Sequence, residues 1–168
     1  MSTLCIVPCG RKKIWDKFPN HGPTEAKFVY IGPFASKCKE YAEMFFPSSW
    51  CILSAKYGFL LPDGIVPKSY NVSFNDKSGD VISLEKLSDQ LPRKGLDVYD
   101  RIIVLGGRNY TEIMRQVFPT KGISNPLSGS KNIMQMIGKL NKAIKNKIPF
   151  QYRFEKNHNK VKNRRTVK

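Results

Sequence analysis

Three short segments carry the side chains best able to do chemistry: "PCGRKK" at 8–13, "SAKYG" at 54–58 and "GGRNY" at 106–110. Each joins glycine to cationic or hydroxyl side chains directly after an apolar run. Glycine lets backbone N–H groups approach a phosphate closely, and lysine and arginine supply the opposite charge. The residues suited to holding an anion or a base are therefore Gly10, Arg11, Lys12 and Lys13, then Ser54, Tyr57 and Gly58, then Gly106, Gly107, Arg108 and Asn109. Lys56 is suited to neutralising a phosphate or a developing negative charge, and Gly58 to releasing the chain into the loop that follows. Tyr57 and Tyr70 offer rings to a base or fill the space under that loop. Cys9, next to Arg11, Lys12 and Lys13, has the setting in which a thiolate becomes reactive, though a cysteine after a strand serves equally as packing. Asp63 and Glu25 are the carboxylates best placed for acid–base work, while exposed loop carboxylates are ordinarily only solvated.

The elements that must position these residues follow from apolar spacing. Short apolar runs at 4–7, 50–54 and 102–105 read as buried strands. Phe34, Cys38, Tyr41, Ala42 and Phe45 keep helical spacing, with Pro33 in the first turn and Pro47 beyond the end. Leu84, Leu87 and Leu91 mark a second helix, "NYTEIMRQVF" a third with Asn109 as its cap, and a fourth begins at "LSGS". That last helix runs through Ile133, Ile137, Leu140 and Ile144, with a lysine-rich outer face. The stretch 59–83 reads as irregular, and loops of that length are functional or disordered. Strands alternating with helices predict an α/β fold, three-layered, with a mostly parallel sheet and helices on both faces. In such sheets ligands bind beyond the carboxyl ends of the strands, where all three polar segments open.

A chain of 168 residues, 40% of them hydrophobic, can bury one sizeable core. No apolar run approaches the roughly 18 residues of a membrane span, and the N-terminus lacks a signal-peptide pattern, so no membrane partner and a cytoplasmic location are expected. Four cysteines without a CxxC pair give no support for a disulfide framework, a zinc site or another cofactor. The net charge of +16 is uneven: residues 131–168 hold 12 lysines and arginines against Glu155 alone. Such a field favours a polyanion, DNA or RNA being the commonest, and the binding should weaken steeply with salt. The division expected is a single domain over 1–147 and a basic C-terminal extension over 148–168. Phe150, Tyr152 and Phe154 alternate as in a half-buried edge strand, which makes core packing the expected use of their rings.

The segments "VPCGRKK", "YIGPF", "LSAKYGFLLPDGIVPKSYN", "IIVLGGRNY" and "NPLSGSKNIMQMIGKLNKAI" together resemble small relatives of the YaaA family of DNA-binding peroxide-stress proteins. The opening "PCxxKK" is also similar to the uracil-DNA-glycosylase-like module of archaeal tRNA-guanine transglycosylases and archaeosine synthases. The resemblance spans residues 4 to about 147 and implies a uracil-DNA-glycosylase-like architecture and nucleic-acid or nucleobase chemistry. It points to Cys9, Gly10, Lys12, Lys13, Tyr30, Gly32, Ser54, Lys56, Tyr57, Gly58, Pro67 and Tyr70 as matching positions; Ser128 and Ser130 stand beside them as further candidates for nucleic-acid or base contact. Relatives commonly carry an aspartate after the tyrosine matching Tyr70, where this chain has Asn71. An amide positions a water but cannot bear the charge that stabilises an oxocarbenium-like sugar. The function expected is an enzyme of the N-glycosidic bond, glycosylase-like, that flips a base into the crevice, with Asn71, Asp63, Lys56 and Cys9 as its catalytic candidates. Two alternatives stand beside it: a non-catalytic DNA- or RNA-binding protein, and an enzyme acting on a small nucleotide or base.

Overall fold

The computed structural model describes residues 2–77 and 79–156. In chain order its elements are β1 (Thr3–Pro8), α1 (Ile14–Lys17), β2 (Thr24–Glu25), α2 (Ala26–Val29), α3 (Pro33–Phe45), β3 (Trp50–Ser54), β4 (Gly58–Leu60) and β5 (Ile65–Val66). Then come α4 (Leu84–Arg93), β6 (Arg101–Val104), α5 (Arg108–Val117), β7 (Gly122–Ser124), α6 (Ile133–Asn146) and β8 (Glu155–Lys156). Six strands form one sheet in the order β4-β3-β1-β6-β7-β8, and β2 pairs with β5 apart from it. The four inner strands β3, β1, β6 and β7 run parallel, while β4 and β8 close the two edges antiparallel.

Side chains alternate across a strand, so each central strand feeds two cores. Cys5, Val7, Ile52, Ile103 and Leu105 face one, which α3 and α6 cover through Cys38, Tyr41, Ala42, Leu140 and Ala143. Leu4, Ile6, Leu53, Ile102 and Val104 face the other, under Leu87 and Leu91 of α4 and Met114 and Val117 of α5. A near-continuous apolar run is what a strand buried on both faces requires, and the three runs at 4–7, 50–54 and 102–105 are such strands. The α/β fold with a mostly parallel sheet and helices on both faces is therefore present. Among the described residues no helix is long and apolar enough to cross a membrane.

Several local expectations change. The stretch 59–83 is not irregular at its start: Ser54 pairs with Gly58 in a tight hairpin, and β4 returns along β3. Helix α5 is capped by Gly107 rather than Asn109, which is the second residue of its first turn and donates its amide N–H to Asn75. Helix α6 starts at Asn132, whose Oδ1 accepts the Gln135 N–H at 2.9 Å, and not at the Ser-Gly turn before it. Its buried stripe runs through Met136, Leu140, Ala143 and Ile144, leaving Ile133 56% exposed. The boundary at 147 does not hold either. Phe150 stacks on Tyr41 at 4.8 Å, Tyr152 shares a hydroxyl hydrogen bond with Tyr41, and Glu155 pairs with Ile123 as the last strand. Burial of aromatic area thus makes 150–156 part of the domain. The remaining tail, 157–168, lies outside the described residues.

Candidate functional site

Parallel pairing of β1 with β3 and β6 brings the loops after all three strands to one edge of the sheet. The inner strands are ordered second, first, third, fourth in the chain. The helix after β1 packs on one face and the helix after β6 on the other, so the two loops diverge and leave a crevice between them. An inner cavity of about 110 Å³ occupies it, lined by Cys9, Gly10, Arg11 and Lys13, by residues 71–75, and by Asn109 and Tyr110. A wider hollow of about 680 Å³ opens alongside, between Arg11, Lys12, Asp16 and the segment from Ser69 to Asn71.

The floor of the crevice is a chain of hydroxyls. Ser54 is fully buried, and its Oγ accepts the Lys56 and Tyr57 backbone N–H groups at 3.2 and 3.1 Å. With both lone pairs filled, its own proton is directed to the Tyr70 hydroxyl at 2.7 Å. Tyr70 bonds onward to the hydroxyl of Tyr30. Burial pushes the Tyr30 phenol far above its ordinary value and that of Tyr70 up to about 12, so both keep their protons at neutral pH. The polar residues of "LSAKYG" are thus fixed at the carboxyl end of β3 by a serine that holds both the turn and the long loop. Tyr70→Phe should leave Ser54 and Tyr30 short of a partner and lower stability by about 1–3 kcal/mol, read from the urea midpoint.

Lys13 is the least expected member of the site. It pairs with Tyr30 through an isolated bridge, its N–H donates to Asp16 Oδ2 at 2.8 Å, and it is 3% exposed. Its Nζ donates to the Arg11 carbonyl at 3.1 Å and lies 4.5 Å from the centre of the Tyr70 ring. No carboxylate of the described residues comes within ion-pairing distance of it. Burial lowers its pKa from the ordinary lysine value. Lys56 approaches the same ring from the second loop at 5.8 Å, so the first and second polar segments meet over Tyr70.

That arrangement changes the role of two rings. Tyr70 is occupied by two ammonium groups and by Tyr57, which meets it edge-on at 5.2 Å, so Tyr70 offers no open face for stacking. Tyr57 lies under the Lys56 ammonium at 5.4 Å. The rings facing the inner cavity are Phe74 and Tyr110, perpendicular at 5.3 Å. The Tyr110 hydroxyl donates to the Cys9 carbonyl and lies 3.2 Å from its Sγ, and burial raises its pKa. Apolar spacing gave no sign of Phe74 and Asn75; the only signal was the length of the loop that carries them.

Not all expected residues converge. Asp63 and Glu25 share the Lys27 ammonium at 2.8 and 3.2 Å, and Asp63 lines a cleft with Leu4 and Trp50, at the amino ends of β1 and β3. The reason is the hairpin: β4 carries the chain back along β3, away from the crevice. Gly58 is buried in that hairpin with φ +75, a structural position rather than a contact for a ligand. Gly106, Gly107, Arg108, Ser128 and Ser130 line a separate cleft of about 920 Å³ beyond β6 and β7, together with Arg115 and Arg153. The first turn of α5 divides the two spaces. Asn125 fastens that wall, its Nδ2 donating to the Gly106 carbonyl at 3.1 Å and to Thr111 Oγ1 at 2.8 Å, and its Oδ1 accepting the Leu127 N–H at 3.0 Å.

Chemically, the inner cavity presents two cations, a thiol, a phenol and amides, with no carboxylate among its lining residues. It can hold an anion or a polar ring by hydrogen bonds, and Asn71 can orient a water there. Among the described residues no group of three or more His, Cys, Asp and Glu is placed to hold a metal ion.

Residues 4–141 match the model of a family described as a family of unknown function (DUF6884). An uncharacterized protein of Bacillus subtilis (strain 168), YfjM, is 40% identical over 148 residues, which is 88% of this chain and 98% of that protein. No solved structure matches.

Proposed function

For this chain, which belongs to that family of unknown function, DUF6884, we propose a nucleic-acid-directed role in which the crevice receives a single base. The observation that carries the reading is the convergence of Cys9, Gly10, Arg11 and Lys13 with 71–75 and Asn109–Tyr110 on one cationic cavity, with no carboxylate among its lining residues, at the switch point of the sheet. Arg11, exposed at its rim, Lys12 on the wider hollow alongside, and Lys56 behind it hold the phosphates beside the base. Phe74 and Tyr110, packed edge to face, give the base an aromatic wall, and Asn71 orients the water. The reaction is cleavage of the N-glycosidic bond after the nucleotide swings out of its stack. The resemblance of its segments to YaaA-like and uracil-DNA-glycosylase-like proteins supports it.

The test is incubation with normal, damaged and modified DNA and RNA, followed by mass spectrometry for freed bases. Release of one base, dependent on Asn71, is the expected result; absence of release from every substrate overturns the enzymatic reading. That no carboxylate of the described residues lines the inner cavity favours a second reading, binding without chemistry. That reading predicts salt-dependent affinity with no product.

The cationic tail makes a separate prediction. Residues 157–168 carry five lysines and arginines and no acid. Truncation after Lys156 preserves the packed residues 150–156 and should flatten the slope of log affinity against log salt by about 2–4. An unchanged slope in a fluorescence-anisotropy titration would mean that the tail does not touch nucleic acid.

A further inference from the structure

We propose that the Lys13 amine is the nucleophile of this site, attacking the anomeric carbon of the sugar and holding it as an iminium. The inference rests on the base-receiving crevice proposed above and adds a covalent step to it. Three geometric facts single out Lys13 among the cations of the three loops. It alone is buried, at 3% exposure, while Arg11 and Lys12 are exposed and Lys56 is half-buried. It lines the inner cavity, beside the base proposed to enter it. Its Nζ has a backbone carbonyl and a tyrosine ring as neighbours and no ion pair with a carboxylate among the described residues.

Those neighbours fix the amine without neutralising it. The carbonyl of Arg11 takes one N–H, the ring face of Tyr70 borders the group at 4.5 Å, and the backbone bridge to Tyr30 holds the residue itself. Desolvation and a neighbouring cation are the two devices that free a lysine lone pair at neutral pH. Both are present: burial is the largest influence on Lys13 and lowers its pKa, Cys9 and Asp16 act against it, and Arg11 adds a smaller lowering effect, with the net direction downward. Neither Asn71 nor Cys9 explains why a cation should be buried here; phosphates are better met by the exposed Arg11 and Lys12.

The step balances as follows. The Nζ lone pair bonds to C1′ as the C1′–N bond to the base breaks, and that bond's electron pair leaves with the base. The extra proton on the attacking nitrogen passes to the departing base, directly or through the water held at Asn71. The nitrogen lone pair then opens the sugar ring: O4′ leaves C1′ and takes a proton from water, giving a C1′=N iminium. The hydroxide left by that water adds to C1′, and the C1′–N bond breaks as the hydroxyl proton passes to nitrogen and frees the amine, so the sum is hydrolysis, with one base freed and one water consumed.

The experiment needs no knowledge of the base. An oligonucleotide bearing an abasic site presents C1′ as an aldehyde, which condenses with the free amine; borohydride then delivers hydride to the imine carbon and fixes a secondary amine. The full chain is incubated with this oligonucleotide and borohydride, and the adduct is mapped by peptide mass spectrometry. The expected result is an adduct on Lys13, reduced at least about tenfold in Lys13→Arg, which keeps the charge and removes the nucleophile. Mapping in the unaltered protein keeps the test independent of how well the variant folds. Adducts spread over the surface and tail lysines, with none on Lys13, would overturn the proposal. Anisotropy on the same oligonucleotide separates the two failures: binding without a Lys13 adduct refutes the nucleophile alone, whereas no binding refutes the nucleic-acid reading together with it.

Discussion

Changing Arg11, Lys12 and Lys56 together to alanine is expected to lower nucleic-acid affinity about a hundredfold at low salt, ~2.7 kcal/mol, while the thermal midpoint moves by no more than about 2 °C. Arg11 and Lys12 are exposed, Lys56 is half-buried, and none of the three has an ion pair among the described residues. Their charges are therefore free to meet phosphates and contribute little to folding. The affinity loss should shrink as salt rises, since counterion release is the term removed. An affinity that falls equally at all salt concentrations would point to damage of the crevice instead. Unchanged affinity would move the phosphate contacts elsewhere, the cleft of Arg108 and Arg153 being the next place to look.

Gly58→Ala is expected to destabilise the fold by about 2–4 kcal/mol, more than any loss at an exposed site residue. At φ +75 an L side chain is strained, and a Cβ would lie 2.4 Å from Gln90 Oε1 and 2.7 Å from Ile82 Cδ1. Gln90 cannot swing away at no cost. Its Oε1 accepts the Phe59 N–H at 2.8 Å and its Nε2 donates to the Tyr57 carbonyl at 2.9 Å, tying α4 to the hairpin. Losing these bonds adds to the backbone strain. For a domain of this size the change corresponds to a fall of roughly 5–15 °C in the thermal midpoint. A midpoint within a degree of the unaltered chain would show that the hairpin repacks without strain.

The contrast between Gly58 and Asp63 shows where reading the chain stopped being sufficient. Both were expected at the crevice. The hairpin that needs Gly58 is also what carries Asp63 to the opposite end of the strands, and a turn of that tightness leaves little trace in apolar spacing. Tyr70 is a similar case: an aromatic residue in a long loop reads as a ring for stacking, yet pairing with Ser54, Tyr30, Lys13 and Lys56 consumes both its hydroxyl and its faces.

By itself the sequence determined the layer architecture, the edge of the sheet at which the polar loops gather, and the cationic character of the surface. These depend on composition and on periodicity over a few residues, where burial of an apolar run or face dominates the energy. Only the tertiary structure decided that the loops enclose two spaces divided by α5 and that no carboxylate of the described residues lines the inner one. It also decided that Lys13, written as one cation in a run of three, is the one turned inward. The physical reason is range: solvation of a side chain and the partners that compensate it come from segments tens of residues apart, and no local pattern encodes which of three adjacent cations loses its water.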